Sequence, residues 1–159
     1  MASIKNKKKL CAWIILLFVC LLIIQVAGHL VVSTDKKIAV VNIDGRILKA
    51  EIAESPRELY RGLSGRRYLC PDCAMLFNFK ESAEQLFVMR DMKFPLDIIF
   101  INNGRIISLA QNLSPDKNKL DRYYSSQGNC NQVLEVNAGF AAENNIRTGD
   151  LVGFEIVNK

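Results

Sequence analysis

Residues 96–110 read LDIIFINNGRIISLA. Leu96 to Asn102 is almost continuously apolar, the pattern of a central strand covered on both faces. Asn103-Gly104 follows, and Arg105 to Ala110 returns as a second apolar run. Asn-Gly between two such runs is a strong hairpin signal, because a two-residue loop favours residues that accept positive φ. The same grammar recurs upstream: Ile38 to Ile43 (IAVVNI), Asp44-Gly45, then Arg46 to Ile52 (RILKAEI). Two tight hairpins in a short chain point to a sheet built mainly of antiparallel neighbours.

The intervening segments fill out that sheet. Ser55-Pro56-Arg57-Glu58 opens a short helix: Ser55 suits the N-cap, Pro56 the first helical position, and Glu58 completes a capping box. Gly62 and Gly65 end it. Met75 to Phe79 (MLFNF), Gln85 to Met89 (QLFVM), Gln132 to Val136 (QVLEV) and Leu151 to Val157 read as strands. Ala138 to Asn145 reads as a second short helix. Residues 111–131 are polar and turn-rich, and are expected to be a long loop. The expected fold is α+β and predominantly antiparallel. It has about seven short strands, barrel-like or in a tight sandwich, with two short helices.

Ahead of this domain, residues 10–27 read LCAWIILLFVCLLIIQVA, with no charge. As a helix, such a run spans about 27 Å, close to the hydrocarbon thickness of a bilayer. Lys5, Lys7, Lys8 and Lys9 precede it and hold that end in the cytoplasm. The expected organisation is a basic n-region at 1–9, a transmembrane anchor or signal segment at 10–28, a linker at 29–37 and one globular domain at 38–159. The run exceeds the usual length of a secretory h-region, which favours a retained anchor. Val26-Ala27-Gly28 supplies the alternative, secretion after cleavage near Gly28. Leu17, Phe18 and Val19 before Cys20 argue against lipidation. The expected location is the bacterial inner membrane, single-pass, with the domain on the periplasmic or extracellular side.

The net charge of +5 is uneven: four of 21 basic residues precede the apolar run, and the remaining 17 face 16 acidic ones. A near-neutral exported domain does not suit nucleic acid. Arg57, Arg61, Arg66 and Arg67 form a local basic cluster, read as the solvated face of a short helix. The expected partners are the membrane, through residues 10–28, and an envelope ligand or protein.

Ordered blocks of this sequence resemble the family catalogued as domain of unknown function 192. They are Glu51-Ile52-Ala53, Glu58 and Arg61-Gly62-Leu63; Met75-Leu76-Phe77 with Phe79; Phe87, Met89 and the run Pro95 to Ile101; Tyr124-Ser125-Ser126; Val133-Leu134-Glu135 with Ala138-Gly139; and Gly149-Asp150. The resemblance covers about residues 47–157 and implies no assigned activity. It also implies departures. The family usually has tryptophan at Val88, lysine at Arg90, asparagine at Asp91, threonine at Met92 and glycine at Ala74. If that segment lines a pocket in relatives, the pocket here has lost an aromatic wall. A Cys-x-x-Cys is not part of the family's usual pattern.

Three constellations bear on chemistry. Cys70-Pro71-Asp72-Cys73 admits a redox pair, a metal site with Cys130, or a disulfide. Redox chemistry wants the motif at a helix N-terminus, and here a strand pattern follows it. Zinc wants four ligands; the only histidine, His29, lies out in the linker. A disulfide fits an oxidising compartment, either within the pair as Cys70–Cys73, which is favoured, or from one of the two to Cys130, and no metal or other cofactor is expected. Asp97 and Glu135 are carboxylates inside apolar strands, where a charge needs a partner. Paired across a cleft they could act as the acid and base of an envelope hydrolase. Satisfied locally, Asp97 by backbone near Pro95 and Glu135 by an arginine, they would be structural. No nucleophile, oxyanion or phosphate motif stands near them, so a binding module is favoured over an enzyme. Its candidate surface is Arg61, Met89, Arg90, Asp97, Tyr124 and Glu135.

Overall fold

The structure is a computed structural model, and it describes residues 13–22, 36–115 and 122–157. The chain divides into two compact units, Met1–Asp35 and Lys36–Lys159. In the first, residues 13–22 are helical. No described helix is long and apolar enough to cross a membrane. The lysines, Val26-Ala27-Gly28 and His29 lie outside the described residues.

The second unit holds seven strands: β1 (Ile38–Ile43), β2 (Arg46–Ala53), β3 (Cys73–Phe87), β4 (Leu96–Asn102), β5 (Arg105–Leu113), β6 (Tyr124–Asn137) and β7 (Val152–Val157). Two short helices are α1 (Pro56–Arg61) and α2 (Phe140–Glu143). Both tight turns form as expected, with positive φ at Asp44 and Gly45 and at Asn103 and Gly104. Ser55 caps α1 reciprocally with Glu58.

All seven strands join one sheet in the order β5-β4-β6-β3-β2-β1-β7. Neighbours are antiparallel except β2 and β3, which run parallel because α1 carries the chain across between them. The expectation of a barrel-like sheet or a tight sandwich is corrected, since all seven strands lie in a single sheet. The sheet is open: β5 meets the residue just before β7 through an isolated bridge, Arg105–Leu151, and no ladder joins the two strands. Bonds from Ile106 N to Asp150 O and from Val152 N to Gly104 O pin the two edges at that point.

Two further expectations change. The runs 75–79 and 85–89 are not separate strands, since β3 passes continuously through the polar residues between them. The polar stretch 111–131 is not all loop either. Residues 124–131 form the first half of β6 and pair with the second half of β3. Much of that β3 half is exposed, so the segment lacks the alternation that marks a half-buried strand.

A core lies on each face of the sheet. On the inner face Val41, Leu48, Leu76, Ile99, Leu134 and Val136 pack with Ile106 and Val152 of the edge strands. On the outer face Met75, Phe77, Ile98, Phe100 and Val133 pack beneath Leu63, Leu69 and Met92 from the connections. Every member of both clusters falls between residues 39 and 152, so Lys36–Lys159 carries its own complete core. Between the two clusters β4 is buried from Leu96 through Ile101, as its apolar run requires.

Candidate functional site

Asp97 and Glu135 do not meet. On the ladder between β4 and β6, Asp97 pairs with Val136 while Ile98 pairs with Glu135. Paired residues share a face and successive residues alternate, so Asp97 points to the inner core and Glu135 to the outer side. This geometry removes the two-carboxylate hydrolase arrangement.

Asp97 is fully buried and structural in its contacts. One carboxylate oxygen accepts from Asn112 N at 2.8 Å and the other from Ala141 N at 3.0 Å. Asn112 has positive φ, and β5 is irregular opposite Leu96–Ile98. Ala141 lies in the first turn of α2, whose N-cap residue, Gly139, has no side chain to satisfy those donors. The expected backbone partners near Pro95 are therefore replaced by two more distant ones.

Glu135 sits at the base of a cleft of about 250 Å³. Beside it in register stands Met75 of β3, and two and four residues on, Phe77 and Phe79 continue along the same face. Phe87, at the end of β3, meets Phe77 edge-on at 4.9 Å and Phe100 at 5.9 Å. Phe77, Phe79 and Phe87 form the apolar wall. Leu59 to Ser64 close one side, and Val88, Arg90 and Met92 the other. Gly62 permits that closure: it has φ +49, and a Cβ built there would lie 3.0 Å from the Phe77 ring and 3.8 Å from Glu135 Oε2. The two sides are tied together. Ser64 Oγ donates to Arg90 O, and Gly65 N donates to Asp91 O.

The polar groups of the cleft are unequally satisfied. Glu135 is only 5% exposed, and its Oε2 has no hydrogen-bond partner. Glu135 was expected to pair with an arginine, but Arg66, the arginine whose charge reaches it, is committed elsewhere. Its guanidinium forks onto Glu51 at 2.7 and 2.6 Å, and Lys36 also reaches Glu51 at 2.7 Å. Those bonds, Arg66 first, hold the Glu51 carboxyl down to about 2. Burial does the reverse at Glu135, pushing it up to about 8 against the weaker pull of Arg66. Arg90 donates to Tyr60 O at 2.7 Å and lies 4.0 Å from the Tyr60 ring centroid. Arg61 makes no ion pair or side-chain hydrogen bond among the described residues.

Of the six candidate binding residues, Arg61, Arg90 and Glu135 line the cleft. Met89 and Tyr124 pack against the same outer core, and Asp97 lies on the other face. Sequence reasoning missed Gly62, Phe77, Phe79, Phe87 and the Arg66–Glu51 pair as parts of this site. Phe77, Phe79 and Glu135 were readable as one-face residues of their strands, but their meeting depends on the pairing of β3 with β6. Val88 also lines the cleft, at the position where the resemblance implies tryptophan.

Cys70 and Cys73 form a disulfide, with Cα atoms 5.1 Å apart. Cys73 N donates to Cys70 O across the turn, and Cys73 opens β3 rather than a helix. The helix-terminal setting of a redox motif is therefore absent. Cys130 is free and buried, its Sγ 3.0 Å from Gln132 O. Among the described residues no group of three potential metal ligands converges.

Comparison with solved structures finds a protein from Sinorhizobium meliloti 1021, provisionally described as a transcription regulator. It is 28% identical, with a TM-score of 0.67 over 75% of this chain and 93% of that one. A protein of unknown function from Novosphingobium aromaticivorans is 29% identical, with a TM-score of 0.66 over 73% of this chain and 83% of that one. No curated protein matches. The sequence profile of domain of unknown function 192, an uncharacterised family, matches residues 39–154, and the chain belongs to that family.

Proposed function

We propose that the Lys36–Lys159 unit is a non-catalytic ligand-binding module of the cell envelope, tethered to the membrane by the apolar segment before it. The observation that carries the binding role is Glu135: a buried carboxyl with an unpartnered oxygen at the base of an aromatic-walled cleft. A buried polar group without a partner costs stability, and a ligand atom that bonds to it removes that cost. The tether rests on the uncharged run at 10–27 and the lysines ahead of it. A regulatory role on DNA, suggested by the description of the S. meliloti protein, does not suit a near-neutral exported domain.

The unit is tested by an amide-resolved NMR titration of Lys36–Lys159 with a panel of small aromatic compounds. Binding is expected to move the Gly62, Phe87 and Val88 amides together. A panel that moves none of them, or that moves only amides over the inner core, removes the binding role.

A further inference from the structure

The cleft does not end at its apolar wall. Tyr60, Arg61, Ser64 and Arg90 also line a second depression, which continues past Arg57 and Lys93. Four cationic side chains thus stand around one opening, with Asp91 the carboxylate among them. Arg57, Arg61 and Lys93 have no ion-pair partner among the described residues. Arg90 is held in place by Tyr60, so its charge is presented in a fixed position. The two depressions share a wall, and a single small molecule can touch both the rings and the guanidinium groups.

Taking the binding role proposed above as given, we propose that the ligand is a small anionic amphiphile. Its apolar body lies along Phe77, Phe79 and Phe87, and its carboxylate or phosphate group is held at the mouth by Arg61 and Arg90. Glu135 meets an acceptor atom at the buried end. Two observations oppose a cationic ligand, which a carboxyl at the base would otherwise suggest. A cation must pass the arginines at the mouth. Burial also keeps the Glu135 proton in place to about pH 8, so at neutral pH this group donates an O–H instead of offering a charge.

The experiment uses one ring system with different heads. 1-Naphthylacetate, 1-naphthyl phosphate, 1-naphthylacetamide and 1-naphthylmethylammonium are titrated into Lys36–Lys159 and followed by NMR. At least one of the two anions is expected to bind about tenfold more tightly than the amide, and the ammonium more weakly than the amide. Which anion leads identifies the head group. Arg61→Gln, which removes a side chain with no ion-pair partner among the described residues, is expected to narrow the ratio of anion to amide binding towards one. Equal binding of anions and amide, or an anion preference that survives Arg61→Gln and Arg90→Gln together, overturns the inference and leaves the binding role standing. Preference for the ammonium also overturns it. Binding of none of the four removes the inference together with the reading beneath it.

Discussion

Asp97 holds two elements with one side chain. Its two oxygens take the N–H of Asn112 on β5 and of Ala141 at the start of α2. Asparagine at that position offers one acceptor and turns an NH2 group toward the other N–H. The Asp97→Asn variant is therefore expected to lose about 1–3 kcal/mol, read by urea denaturation of the Lys36–Lys159 unit. An unchanged midpoint would mean that the two N–H groups find other partners. Both Asp97 and Glu135 were visible in the sequence as carboxylates in apolar strands. Their separation was not visible, because the face on which each lies follows from the register of β4 against β6, and one residue of slip reverses it.

Glu135 ties stability to pH. The folded carboxyl keeps its proton to about pH 8, whereas the ordinary value is 4.5. Between those values unfolding releases a proton, so the contribution is fully present below about 4.5 and is lost as pH rises through about 8. The Glu135→Gln variant keeps the shape without the titration. Moving from about pH 5 to about pH 8.5, wild type is expected to lose ground against the variant, by up to ~1.4 kcal/mol for each unit inside the window. Parallel pH profiles for the two proteins would show that Glu135 ionises in the fold as it does in the open chain.

At the scale of elements, the turn between Cys70 and Cys73 is closed twice, by the disulfide and by the bond from Cys73 N to Cys70 O. A cross-link over so short a loop removes little chain entropy. Replacing both cysteines by alanine is expected to cost less than the ~3 kcal/mol of a 15-residue loop. Cys130 should resist alkylation in the native unit and react after denaturation, because it is buried and burial pushes its thiol pKa up. Mass spectrometry after denaturing alkylation without reductant should find one labelled thiol, at Cys130, in Lys36–Lys159. A label on Cys70 or Cys73 would remove the structural disulfide. The hairpins and the capped helix were legible because each is fixed by two to four neighbouring residues. The far half of β3 with the near half of β6 was not, since a polar ribbon has the composition of a loop and its order comes from the partner strand.

For the whole molecule, the orientation expected from Lys5 to Lys9 places the Lys36–Lys159 unit outside the cytoplasm. Alkaline phosphatase fused after Lys159 should then be active, while a full-length but inactive fusion would contradict that orientation. The same division appears in what composition could disclose. Separating the basic residues before the run from those after it exposed a near-neutral domain, whereas the cationic mouth of the cleft arises only when α1 and the connection after β3 come together.

The antiparallel pairing of β1 with β7 sets Ile38 opposite Val157. The chain thus enters its first strand and leaves its last at one place, and its course between is nearly a ring. What a strand requires is its neighbours, not its position in the order of synthesis. A few added residues joining Val157 to Ile38 would keep all seven strands beside their present partners. The ring could then be opened at another turn, and the apolar leader hung from there. Where the unit hangs and how its sheet is woven are separable properties of this chain.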